Sequence, residues 1–394
     1  VDAMQRRDFL IGLGGTAAAI AQRSLLATAQ TRAPHPPPTF MYIGSYTSDA
    51  RGHGDGISVY HRTSERDPWS LVQVAKDLSD PSFLAIDRQG RCLYSAHGDG
   101  TQATAYRIDA ATGRLSLINQ QPTRGTNGVH LSIDGTGRFL ALANYATGTL
   151  VALPIDADGS LAPVSDMATL TGTPGPHRTE QTISHPHHCP FDPSGRFIIV
   201  PDKGFDRVFV YRLDAATGKL LPGDPPSVAS RAGAAPRHVA FHPTKPFAYV
   251  INELDSTMTT YAFDPDKGGL KPLQILPTVP PTHTGNNSGA EVCVAPSGRF
   301  VYGSNRGHDS IAIFAIDAQT GTLSVVGWEP TQGRTPRYFG LDPSGTELYA
   351  ANQNSDTVVM FRVDQATGKL AATGEVVKAR SPSTIVFRRG AQIA

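Results

Sequence analysis

Asp192-Pro193-Ser194-Gly195-Arg196-Phe197 returns as Ala295-Pro296-Ser297-Gly298-Arg299-Phe300 and again as Asp342-Pro343-Ser344-Gly345. A turn that recurs in this way marks a repeating unit of roughly 50 residues, the signature of radial blades or a solenoid. Short apolar runs flank each copy, as Val239-Ala240-Phe241 and Ala248-Tyr249-Val250-Ile251 flank His242-Pro243-Thr244-Lys245, so each copy predicts a hairpin. An alternating strand follows (Val208 to Leu213, Ile311 to Ile316, Val358 to Val363), then a second turn: Asp214 to Leu220, Asp317 to Leu323, Asp364 to Leu370. With a fourth strand after it, each unit reads as a four-stranded antiparallel sheet. No long stretch past the N-terminal segment keeps a helical apolar period, so the chain is expected to be all-β.

Innermost strands are predicted near Pro81, Gly128, Pro186, Pro236, Gly289 and Pro336, which makes six complete repeats. The seventh is split. Pro382 to Phe387 reads as an innermost strand with nothing after it, whereas Tyr42 to Tyr46, Ile57 to Tyr60 and Leu71 to Val74 read as three strands that lack one. Pairing the two ends closes a ring and leaves only short, protected edges. The expected architecture is a seven-bladed β-propeller closed by N-terminal strands on a C-terminal strand, one domain over residues 39–390.

Ahead of it, Gln5-Arg6-Arg7-Asp8-Phe9-Leu10, a Gly- and Ala-rich apolar run and Ala27-Thr28-Ala29 resemble a twin-arginine export signal over residues 1–29. A Pro-rich linker over 30–38 follows, and export to the periplasm is expected. The apolar run is too short and weak to be a stable membrane span. Lys plus Arg number 35 against 34 Asp plus Glu, a net charge of +1, and no basic stripe points to nucleic acid. A monomer is expected. The three cysteines, Cys92, Cys189 and Cys293, sit in different blades and read as buried thiols, not as a disulfide framework.

The turn also serves as a ruler. Five residues before its Asp position stand Ser82, Val129, His187, Arg237, Ala290, Arg337 and, in the split blade, Pro382. Eight after its Gly position stand Gly98, Tyr145, Lys203, Glu253, Arg306 and Gln353, with Tyr46 as the split-blade counterpart. Innermost and second strands are antiparallel neighbours, so both sets lie on one face of the disc. The ionisable members come from the third to sixth blades and converge on one side of a central channel. Arg forks bind carboxylate or phosphate and stabilise an oxyanion, while Glu and His move protons near neutral pH. That mixture suits attack on an ester or lactone carbonyl. His185-Pro186-His187-His188-Cys189 admits a metal reading, but alternation along a strand sends His187 and His188 to opposite sides, so no metal is expected. His188, His130 and His238 are expected to pack inside blades, and Asn144, Asp202, Asn252, Asn305 and Asn352 to bond backbone at strand ends.

His185-Pro186-His187, Pro201 to Val208, Pro236-Arg237-His238, Asn252-Glu253-Leu254, Ser304-Asn305-Arg306-Gly307, Tyr42 to Thr47 and Ala143-Asn144-Tyr145 occur in an order that resembles the lactonase family of seven-bladed propellers. That family includes propeller-type 6-phosphogluconolactonases and carboxymuconate-lactonising enzymes. The resemblance covers Phe40 to Phe387 and implies His187, Arg237, Glu253 and Arg306 as catalytic residues, with a small-molecule lactone as substrate and no cofactor. The expected activity is hydrolysis of an aldono- or phosphoglucono-type lactone by water, with Glu253 or His187 as base. The alternatives are a lactonising isomerase and a non-catalytic binding propeller. His97-Gly98 stands where relatives more often carry Asn-Glu, which is expected to alter the rim.

Overall fold

Asp192 closes its turn with its own side chain. Oδ1 accepts the N–H groups of Arg196 and Phe197 while Oδ2 engages Ser194, and Gly195 supplies the left-handed residue at φ 73°. Asp134 caps Arg138 and Phe139 in the same way. In blade 4 the imidazole of His242 replaces the carboxylate, its Nδ1 accepting from the N–H groups of Thr244 and Lys245, so the turn survives the change of residue.

These hairpins assemble in a computed structural model that describes residues 38–64 and 67–389. Six sheets have four strands and one has three, and together they form a seven-bladed propeller. The ring closes as the sequence predicts, with strand Pro382–Arg389 pairing Pro38–Ser45, which pairs Ile57–His61 and then Ser70–Ala75. The expected export leader and residues 30–37 of the expected linker lie outside the described residues, and Pro38, the last residue assigned to the linker, opens the first strand. Among the described residues no helix is long and apolar enough to cross a membrane.

Blade 3 departs from expectation. Its innermost segment is not a regular strand but touches the next strand through bridges at Pro186–Asp202 and Phe191–Ile198. Pro186 and Pro190 each lack a ladder N–H, which leaves bonds such as His187 N–H to Pro201 C=O to hold it.

Seven hydrophobic clusters make up the core, one between each pair of neighbouring blades. The second strand of each complete blade is therefore covered on both sides: Leu140 and Leu142 face blade 1, Ala141 and Ala143 face blade 3. Tyrosines latch blade to blade. Tyr42, Tyr249 and Tyr302 donate to the carbonyls of Gly113, Gly321 and Gly368 in the next blade's outer turn. Gly321 has φ 72°, and a Cβ there would lie 2.4 Å from the Phe247 ring, so both conformation and space require glycine.

Two backbone devices aim the site. Asp80, Asn127, Ala235, Thr335 and Ser381, each just before an innermost strand, are left-handed with φ of 43–61°. Such a conformation costs a non-glycine residue roughly 1–2 kcal/mol. Their carbonyls accept the N–H groups of Gly98, Tyr145, Glu253, Gln353 and Tyr46, the residues of the second ruler position. The first ruler position falls in a β-bulge. Pairing skips Ser82, Val129, Arg237 and Arg337, so each leaves the ladder and turns into the channel. In the split blade the skipped residue is Ser383, not Pro382 as the count gave, and in blade 5 the bulge holds both Ala290 and Glu291.

Candidate active site

Glu253, at the end of the second strand of blade 4, lies at the centre of a charge cluster. Its Oε1 is 3.0 Å from Lys203 Nζ, and its Oε2 is 3.1 Å from Arg237 Nε and 3.3 Å from an Arg306 terminal nitrogen. Burial alone would raise its carboxyl, but the charges of Arg306, Lys203 and Arg237 outweigh that and hold it well below the usual carboxylate range. Arg237 also donates to the carbonyl of Ala290 at 2.7 Å, and Arg306 to that of Gly289 at 3.0 Å. Burial and the nearby Arg306 and Arg337 charges push Arg237 down to about 9, so it remains a cation at neutral pH.

Lys203 bonds Glu180 as well, at 2.6 Å, and burial, which would lower it, is outweighed by Glu253, Tyr145 and Glu180, so its ammonium is held charged. Glu180 belongs to the long connection between blades 2 and 3. Gln181 anchors that connection by donating to Lys203 C=O and Asp206, and His185 stacks on Tyr145 with centroids 4.3 Å apart.

His187 faces the same space. Its Nδ1 lies 3.2 Å from His238 Nε2, which leaves Nε2 as the nitrogen toward the cavity. Burial, then the charge of Arg237, depress its basicity well below an ordinary imidazole, so it is neutral. Arg337 completes the wall, its guanidinium 5.1 Å from the Tyr46 ring centroid. Among the described residues no carboxylate pairs with it.

Of the four residues implied by the resemblance, His187, Glu253 and Arg306 line one cavity together with Lys203 and Arg337, while Arg237 lines a small adjoining space that His187 and Arg337 also border. The cavity is about 210 Å³ and is walled by Tyr46, Tyr145, His187, Lys203, Glu253 and Arg337, among others. Larger grooves of about 610 and 890 Å³ lie against outer strands, away from the channel. Residues 40–387 match the family described as Lactonase, 7-bladed beta-propeller. The chain belongs to the lactonase family. Within it, the chain is 36% identical over 305 residues to a 6-phosphogluconolactonase of Bacillus subtilis, covering 76% of this chain and 84% of that one. It is 34% identical over 310 residues to a 6-phosphogluconolactonase of Formosa agariphila, covering 77% and 86%. The solved Pseudomonas aeruginosa periplasmic gluconolactonase superposes with a TM-score of 0.82 at 32% identity, covering 90% of this chain and 99% of that one.

Against this lactonase scaffold, several expectations change. His130, His188 and His238 do not pack within separate blades but against one another in the channel, with ring centroids 3.8 Å apart for His130–His188 and 4.1 Å for His188–His238. Most of the Asn register bonds backbone as expected: Asn144, Asn305 and Asn352 Nδ2 donate to the carbonyls of Thr123, Thr278 and Thr331, and Asp202 accepts the His185 and Phe205 N–H groups, whereas Asn252 Nδ2 donates to the hydroxyls of Thr257 and Thr259. His97 fills that role in blade 1 through Ser79 C=O and Thr104 Oγ1, and Gly98 leaves room beside Tyr46 and Ser82. Counting along the repeat missed Glu180 and Arg51, which come from connections outside it, and Glu291, which stands one residue beyond the counted Ala290. All three cysteines are free. Among the described residues no group of three or more His, Cys, Asp or Glu is placed to hold a metal ion.

Proposed function

We propose that this protein hydrolyses a small lactone of the aldono- or phosphoglucono-type, with water as nucleophile. The observation that carries the reading is a neutral imidazole, His187, facing a cavity whose other wall is built from Arg306, Arg337 and Lys203, with Arg237 on the small space that adjoins it. His187 Nε2 takes the proton from the attacking water, and the cations stabilise the oxyanion that forms on the lactone carbonyl. One well-placed donor of this kind contributes about 3 kcal/mol. The buried Nε–H of Arg306 has no hydrogen-bond partner among the described residues, which favours an incoming oxygen. Glu253, already clamped by three cations, is a poor base and serves to hold them in place. His187 Nδ1 and both Glu253 oxygens are engaged by protein groups, so the reading assigns them no metal.

Arg337 lacks a carboxylate partner and is the group assigned to a substrate carboxylate, phosphate or hydroxyl. The Arg6-Arg7 leader pattern, together with the periplasmic relative, supports export and hence an unphosphorylated aldonolactone, while the cationic wall supports an anionic one. A panel of lactones with and without phosphate, assayed by proton release against the wild type and Arg337→Ala, tests this. Turnover by the wild type is expected, with KM for the preferred anionic lactone raised about tenfold or more in the variant. Turnover of a carboxymuconate but of no lactone would replace hydrolysis by isomerisation, and an unchanged KM would remove Arg337 from the site.

A further inference from the structure

His187 is a poor proton acceptor on its own. An imidazolium at that place would be buried and would face Arg237, Arg337 and Lys203, with only Glu253 in its favour. Behind it, however, the channel holds a continuous line of acid–base groups. His187 Nδ1 is 3.2 Å from His238 Nε2, and His238 Nδ1 is 3.0 and 3.1 Å from the two carboxyl oxygens of Glu291. Glu291 is held in place by its own strand, its Oε1 accepting the N–H of Val292 at 3.0 Å, and its backbone N–H donates to Ser304 Oγ. It also lies between two spaces. One side meets the space shared with His187 and Arg237; the other meets a second cavity of about 410 Å³ on the opposite face, walled by Cys293, Tyr338, Leu341, Pro343 and Phe387.

We propose that Glu291, His238 and His187 form a proton relay through the disc that lets His187 act as base without becoming a cation. This rests on the lactonase reading given above. In the starting state Glu291 is a carboxylate, His238 donates Nδ1–H to it, His187 donates Nδ1–H to His238 Nε2, and the His187 Nε2 lone pair faces the cavity. As water attacks the carbonyl, its O–H breaks and the proton goes to His187 Nε2. The Nδ1 proton of His187 passes to His238 Nε2, and the Nδ1 proton of His238 passes to Glu291. Both imidazoles end neutral with tautomers reversed, and the new charge is lost at a buried carboxylate. When the ring C–O bond breaks, the leaving alkoxide takes the proton from His187 Nε2–H and the relay resets. Water and lactone give hydroxy acid, with no proton left over.

The surroundings suit that destination. Burial raises the Glu291 carboxyl to about 8, opposed in part by Arg237, so it can both take and return a proton near neutral pH. Tyr338 and Cys293 are the other titratable groups beside it; His238 faces Arg237, His188 and His130 as well as its two relay partners. The base form needs ionised Glu291, so activity should rise with pH through about 8 and level off above it.

Two measurements test the relay. In the first, kcat and KM are followed against pH for Glu291→Gln and for His238→Phe, which keeps a ring against His188 but has no nitrogens. Expected are a fall in kcat of about a hundredfold with KM nearly unchanged, and loss of the limb near neutral pH. Variants that fold and keep the wild-type profile would overturn the proposal. The second is nitrogen-15 NMR of the histidines in the wild type from about pH 6 to about pH 10, which does not depend on any substrate. His187 and His238 should exchange tautomers together, and a His187 tautomer constant over that range would overturn the relay whatever the variants do. Failure of the wild type to open any lactone would instead count against the assigned reaction, with the tautomer exchange still decided by the NMR titration.

Discussion

Lys203, Arg237 and Arg306 converge on the two oxygens of Glu253 at 3.0 to 3.3 Å, and that convergence decides what the carboxylate can do. In the proposed reaction a carboxylate stabilised by three cations gives up its basicity, and the neutral His187 supplies the lone pair for water. Replacing Glu253 with Gln should therefore act mainly on stability. Three cations would lose their shared counter-charge, at a cost of about 3 kcal/mol or more, read as a lowered midpoint in urea or heat. Residual activity should keep the wild-type pH profile; disappearance of its limb would make Glu253 the base. The residue types were legible in the sequence, because the turn fixed which positions face the channel. Their roles were not, because partners such as Lys203 and Glu180 come from another blade and from an inserted connection.

At the scale of the element, the hairpins were legible because their turns are local chemistry, such as Asp192 capping Arg196 and Phe197. The bulges were not. A bulge adds one residue to a strand with no local marker in composition, so the count named Pro382 where Ser383 faces the channel and Ala290 where Glu291 matters. Blade 3 was read as regular because its flanking turns are regular, although Pro186 and Pro190 interrupt its ladder. The outer turns carry a testable packing claim. Gly321→Val places a β-branched residue at φ 72° against Phe247 and should destabilise the fold by about 2 kcal/mol or more. Gly327→Ala, with nothing within 4 Å and ordinary backbone, should change stability by less than about 0.5 kcal/mol. Equal effects in chemical denaturation would remove the latch between blades.

For the molecule as a whole, the split blade places Met41 and Ile43 opposite Phe387 and Ile385, so the chain ends are sewn into the same core that joins blades 6 and 7. A closed ring keeps blades 3 to 6 at fixed angles, and residues distant in sequence, His187 and Arg337 among them, share one cavity. The central claim is that this cavity opens lactones with His187 as the base. It is tested most directly by the initial rate of glucono-1,5-lactone hydrolysis in a pH-stat for the wild type and His187→Gln. The account predicts clear acceleration over the spontaneous reaction by the wild type and a loss in kcat of about a hundredfold or more in the variant. Equal rates for the two proteins would contradict it.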